Sequence, residues 1–160
     1  MKNKRTSFLV QSSVIAALYV VLTFVSSLLG LSSGVIQVRF SEALTILPAF
    51  IPAAVPGLFV GCLLANLITG SIILDTIFGS IATLLGAVFT YLLRKYKFLA
   101  PLPPIIANTL IIPFVLAFAY GFEGSVWYFM LTVGIGEIIS CGLFGYALML
   151  GLRRAPDLFK

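Results

Sequence analysis

The sequence predicts an all-α integral membrane protein with six transmembrane helices, and three observations carry that expectation. Hydrophobic residues make up 61% of the 160-residue chain, charged residues only 9%, and the mean hydropathy is +1.16. A soluble domain carries about 25% charged residues. The basic residues gather in three clusters, Lys2, Lys4 and Arg5, then Arg94, Lys95 and Lys97, then Arg153, Arg154 and Lys160, which is the pattern of cytoplasmic segments. Between the clusters the only charged residues are Arg39, Glu42 and Asp75 in the first interval and Glu123 and Glu137 in the second.

If all three clusters are cytoplasmic, an even number of helices separates each pair and both termini lie inside. A crossing takes about 20 residues, so residues 6–93 accommodate four spans and residues 98–152 two. The first span, 8–31, is too long for a signal-peptide core and lacks a small-x-small cleavage site, so it is read as retained. Gly30-Leu31-Ser32-Ser33-Gly34 ends it. The second, about 43–55, is short and interrupted by Pro48; Pro52-Ala53-Ala54-Val55-Pro56-Gly57 forms a cytoplasmic turn into a short third span, about 56–70. Thr69-Gly70-Ser71 begins an external turn, after which the fourth span opens at Asp75. The fifth, 102–120, and sixth, 126–151, are joined by the external turn Gly121-Phe122-Glu123-Gly124-Ser125. The chain is thus one domain: a tail over 1–7, a bundle over about 8–151 and a tail over 152–160.

An ionised group at the bilayer centre costs roughly 2.5–3.5 kcal/mol, so the charged residues of the body are candidates for a site. Short, proline-broken segments are tolerated at that depth only against protein or a wet cavity. This topology puts Arg39 and Glu42 at the outer entrance to the second span, Asn66 near the outer end of the third, and Asp75 at the outer start of the fourth. Glu137 lies midway along the sixth, and Asn108 nearer the inner third of the fifth. A carboxylate accepts two hydrogen bonds side by side, which suits the ring N–H and exocyclic amine of a guanine-like base, while asparagine reads mixed edges. Trp127, Tyr128 and Phe129 either stack on a planar ligand or form an interfacial belt. Structural roles compete elsewhere: Arg39 and Glu42 can pair at i,i+3, and Asp75 can cap its helix. Glu137, preceded by Gly134 and Gly136, has the weakest structural explanation.

Ser12 with Ala16 and Ser13 with Ala17 form small-xxx-small pairs on the first span, suited to internal packing or to docking a partner membrane subunit. Cys62 and Cys141 are far apart and the chain has no histidine, so neither a disulfide nor a metal site is expected. No basic stripe suggests nucleic acid. No Gly-x-x-x-x-Gly-Lys-Ser/Thr loop occurs, so ATP hydrolysis of the P-loop kind is excluded, and no nucleophile with a nearby base suggests an enzyme.

Several runs carry a family resemblance: Ile36-Gln37-Val38-Arg39-Phe40-Ser41-Glu42-Ala43-Leu44-Thr45, Pro56-Gly57-Leu58-Phe59-Val60-Gly61-Cys62 with Asn66, Asp75-Thr76-Ile77-Phe78-Gly79-Ser80, Leu102-Pro103-Pro104 with Asn108, and Val133-Gly134-Ile135-Gly136-Glu137. Over about residues 8–151 the chain resembles the queuosine-precursor transporter family, QueT. The resemblance implies the substrate-binding S component of an energy-coupling-factor (ECF) transporter in a bacterial cytoplasmic membrane. Its partners would be a coupling transmembrane subunit and two cytoplasmic ATPases, which alone use ATP; the chain itself is expected to bind no cofactor. It implies a 7-deazaguanine ligand such as pre-queuosine or queuine, with Glu137 on the donor edge and Asn66 and Asn108 as amide readers. Glu42 or Asp75 would hold a cationic aminomethyl group, and Arg39 would order the loop over the ligand. The Ser-xxx-Ala pairs stand where S components often carry Ala-xxx-Ala docking motifs. Two rival readings are an S component for another vitamin or heterocycle, and a proton-coupled secondary transporter in which Glu137 carries the proton. A proton relay ordinarily needs more than one buried carboxylate in the spans, which counts against the latter.

Overall fold

The computed structural model describes residues 3–32, 36–121 and 123–154. The expected turn residues Ser33, Gly34 and Phe122 and the tail residues 1–2 and 155–160 lie outside the described residues. Among those described, all regular structure is helical. The helices are α1 (Lys4–Leu28), α2 (Ala54–Ile68), α3 (Ile73–Leu92), α4 (Leu102–Phe114), α5 (Val126–Glu137) and α6 (Gly145–Arg154). A π-helical stretch, Val115–Ala119, prolongs α4, and another, Ile138–Phe144, joins α5 to α6.

Four continuous segments are long and apolar enough to cross a membrane: Lys4–Leu28, Ile73–Leu92, Lys97–Ala119 and Val126–Arg154. They answer to the expected first, fourth, fifth and sixth spans. The expected third is the shorter apolar helix α2. The expected second span is not an α-helix. In its place Phe40–Ala49 forms a 3-10 helix, with every residue from Ser41 to Ala49 buried. Pro48 explains the change, because it has no N–H to donate and its ring would strike the carbonyl four residues back in an α-helix. A hydroxyl assists: Thr45 Oγ1 donates to the Glu42 carbonyl at 2.6 Å.

The breaks anticipated after the first and third spans are both helix ends. Gly30 and Gly70 take φ of 71° and 76°, the left-handed conformation that glycine reaches without a Cβ penalty. Leu31 N–H then donates to Ser26 O, and Ser71 N–H to Asn66 O, each at 3.0 Å. These are the six-to-one bonds that close a Schellman end.

The helices pack in chain order, α1 on α2, α2 on α3, α3 on α4 and α4 on α5, and the 3-10 helix fills the centre against α1, α3 and the π stretch before α6. Small residues set the tightest contact. A Cβ on Gly61 would meet Tyr19 Cβ at 2.8 Å and the Ala16 backbone at 3.1 Å, and one on Gly57 would meet the Ser12 carbonyl at 2.7 Å. Ser12 Oγ also donates to Ala53 O at 2.8 Å. Leu44, Leu47, Leu58, Ile15 and Tyr19 form the core behind this contact. Leu9, Val10, Val14, Leu18 and Val21 of α1 point outward, as do Leu131, Leu143 and Leu150 of the last crossing, the inverted surface expected where the solvent is hydrocarbon.

Candidate functional site

A cavity of about 650 Å³ opens among α1, α3, α4 and α5, walled by Thr23, Arg39, Asp75, Tyr120, Tyr128 and Phe129 among others. Beneath it lies a chamber of about 40 Å³ lined by Glu42, Cys62, Thr83, Asn108 and Glu137. Gln37 and Arg39 line both, so the upper space is a vestibule to the lower one.

The strap Gln37–Arg39 is held from two sides. Phe40 N–H donates to Ser26 Oγ of α1 at 2.8 Å, and Arg39 N–H to Ser140 Oγ at 3.1 Å. Gly136 makes the passage possible, since a Cβ there would collide with the Gln37 carbonyl. Pinned this way, the 3-10 helix dips at once into the bundle. Glu42, in the first turn of that helix, is therefore only 3% exposed, accepting from the Tyr19 hydroxyl on Oε1 with Oε2 buried and without a well-formed hydrogen bond.

This burial brings together residues that the sequence had set apart. Carboxylate oxygens of Glu42 and Glu137 and the Cys141 sulfur all lie within 4.8 Å of one another, and Asn108 sits beside both carboxylates. Asn108, expected nearer the inner third of its span, thus shares the chamber with Glu42 and Glu137. Glu137 ends α5, and its Oε2 accepts from the Cys141 thiol at 3.1 Å. Among the described residues these two carboxylates and the thiol are the one donor group that would suit a cation, but Tyr19 and Cys141 already donate hydrogen bonds to the carboxylates. Both cysteines are free and buried, as expected.

The competing structural roles separate cleanly. Arg39 Nη1 donates to Asn66 Oδ1 at 3.5 Å, and not to Glu42; Asn66 in turn faces Cys62. Asp75 does not cap α3, whose N-cap is Ile72. Instead its Oδ2 accepts from the Tyr120 hydroxyl at 3.0 Å. Tyr120 lies just beyond the crossing segment, and burial, reinforced by the Asp75 charge, raises its phenol above the ordinary value, so it remains a donor. Trp127 is 79% exposed and stands outside the cavity wall, while its neighbours Tyr128 and Phe129 line the vestibule. The α1 pairs also divide, with Ser12 and Ala16 against α2 and Ser13 and Ala17 exposed.

Sequence reasoning missed Tyr19, Gln37, Thr83 and Tyr120. Tyr19 is a polar-tipped ring within an apolar helix, and a buried phenol needs a partner; that was the available signal. Tyr120 borders the expected external turn, where a tyrosine reads equally as belt.

An apolar helical bundle whose interior holds carboxylates, amides and phenols around a solute-sized space defines a multi-pass membrane protein built to receive a polar small molecule. The profile of the QueT transporter family matches residues 9–154. The chain belongs to the QueT transporter family. It is also 34% identical over 84 residues to the queuosine precursor transporter QueT of Lactococcus lactis subsp. cremoris strain MG1363, an alignment covering 52% of this chain and 49% of that protein. The chain thus spans about half the length of the curated relative it matches. No solved structure matches it.

Proposed function

We propose that this chain is the substrate-binding S component of an ECF-type importer that captures queuosine precursors, 7-deazaguanine bases such as pre-queuosine or queuine, from outside the cell. The observation that carries the reading is the Glu42–Asn108–Glu137 group, with Glu42 and Asn108 buried and Glu137 half-buried, inside a member of the QueT family. Its acceptors suit the adjacent N–H and NH₂ donors of a guanine-like edge, and desolvation in the chamber strengthens each bond. Glu137 takes the donor edge, Asn108 and Asn66 read the neighbouring polar atoms, and Arg39 orders the strap between vestibule and chamber.

In this reading the chain crosses the bacterial cytoplasmic membrane six times with both termini inside, the 3-10 helix and α2 together making the second and third passages. A coupling subunit docks on the outward face of α1 at Ser13 and Ala17, because Ser12 and Ala16 are occupied by α2. Two partner ATPases drive uptake.

The test is calorimetric binding of 7-deazaguanine bases, guanine and unrelated vitamins to the purified chain, with Glu137→Gln alongside. Deazaguanine binding that the variant loses is the expected result. A folded chain that binds only a vitamin would redirect the assignment to another S-component ligand.

One observation favours a second reading. A proton-coupled secondary transporter called for more than one buried carboxylate, and Glu42 now faces Glu137. Two such groups repel unless a proton or a donor lies between them. Uptake into vesicles by this chain alone, driven by a pH gradient and indifferent to ATP, is the outcome that would favour it.

A further inference from the structure

The two spaces differ in size and in charge, and the ligand must divide between them. About 40 Å³ beside Glu42 and Glu137 admits the edge of a base and little more, since a single water occupies roughly 30 Å³ in the liquid. The vestibule, at about 650 Å³, lies well inside the roughly 300–1,000 Å³ range of pockets that enclose a drug-sized ligand. A bare bicyclic base leaves most of it to water.

The vestibule wall carries two carboxylates, Asp75 and Glu123, against one guanidinium, Arg39. Arg39 donates to Asn66, and its charge is felt by Asp75 without an ion pair forming between them. Asp75 is only 6% exposed, yet it lines the open space, and no described residue offers it a cation within ion-pair distance. Its carboxylate is aimed by the Tyr120 hydroxyl. Thr23, Ser27, Thr69, Ser71 and Thr132 add hydroxyl oxygens to the wall of the same space.

We propose that the vestibule is a second subsite, which holds a bulky substituent bearing a protonated amine and hydroxyl groups while the edge of the base enters the chamber. Asp75 anchors the amine, and Tyr120 is a positioning residue that orients Asp75. Glu42, the other candidate for that cation, is absent from the vestibule wall and engaged with Tyr19. This inference rests on the deazaguanine reading above, and it selects within that class the ligands with an amine-linked substituent over those with a small neutral one.

The test compares dissociation constants of three probes on the purified full chain: 7-cyano-7-deazaguanine, 7-aminomethyl-7-deazaguanine and queuine, whose amine carries a hydroxylated ring. Charge-assisted bonding at a buried carboxylate predicts that the two amines bind roughly tenfold or more tighter than the nitrile, with queuine at least equal to the smaller amine. In Asp75→Asn the preference collapses toward unity while the nitrile binds as before, and in Tyr120→Phe it falls partway. The nitrile is thus an internal measure of folding for both variants. Equal wild-type affinity for nitrile and amines, or a loss in Asp75→Asn shared equally by all three, overturns the second subsite and leaves the deazaguanine assignment standing. Exclusion of queuine with retention of the smaller amine overturns the bulky substituent. Failure of all three to bind a folded chain overturns the assignment itself and the inference with it.

Discussion

Removing one hydroxyl from Tyr19 tests the chemistry of the chamber most directly. Tyr19 is 1% exposed and donates to Glu42 Oε1, and Glu42 Oε2 already lacks a well-formed partner. Tyr19→Phe keeps the ring in place and leaves a buried carboxylate with neither oxygen properly satisfied. An orphaned buried polar group costs about 1–3 kcal/mol, and more where it carries charge. For a chain of this size each kcal/mol moves the melting temperature by about 2–4 °C, so a drop of several degrees is expected in detergent, read by tryptophan fluorescence or a thiol-reactive dye. The attribution is checked by a double-mutant cycle. In a Glu42→Met background there is no carboxylate to orphan, and Tyr19→Phe then costs little. A coupling energy in the range of about 0.5–3 kcal/mol is expected. Additive losses, within about 0.5 kcal/mol, would refute the reasoning, because they would assign the effect to the packing of α1 instead of the hydrogen bond.

Three further outcomes follow from the same geometry. Gly136→Ala drives a methyl into the Gln37 carbonyl, so the strap must shift; overpacking of about 1–3 kcal/mol and weaker base binding are expected together, and an unchanged melting curve would contradict the close passage. Asn108→Ala deprives Glu42 and Glu137 of the amide beside them, and calorimetry should show base binding reduced roughly tenfold or more, whereas wild-type affinity would remove Asn108 from the site. Thr90→Val breaks the buried bond from the Thr90 hydroxyl to Ala100 O at 3.0 Å, far from either space; about 0.5–1.5 kcal/mol of stability should be lost with ligand affinity intact, and altered affinity would mean that the α3–α4 turn communicates with the chamber.

The helical class and four of the membrane-length segments were legible because each rests on a local property, an apolar run of sufficient length bounded by glycine or by basic residues. Glu137 and Asp75 were legible for the same reason, being charges within such runs. The second span was not. Pro48 announced an interruption, but the outcome, a buried 3-10 helix, depends on hydroxyls from α1 and from the π stretch before α6, distant in sequence, that anchor Arg39 and Phe40. The burial of Glu42 beside Glu137 depends on the same packing and was not legible, so the spans were expected to hold a single buried carboxylate. Trp127 illustrates the opposite limit. Three aromatic residues in a row give no indication of which side faces inward, and the helix turns Phe129 to the cavity and Trp127 away from it.

Gly61 gives the contact of α1 and α2 a chemical meaning. Its missing side chain lets the Tyr19 Cβ and the Ala16 backbone come close, and the reach of the Tyr19 ring from that position is what delivers a proton donor to Glu42. The orientation of a chamber-lining carboxylate is therefore inherited from the spacing between two helices. A single added carbon at Gly61 would displace the donor that Glu42 relies on without altering any residue that lines the chamber, so the interior of this fold can be retuned from positions that never border it.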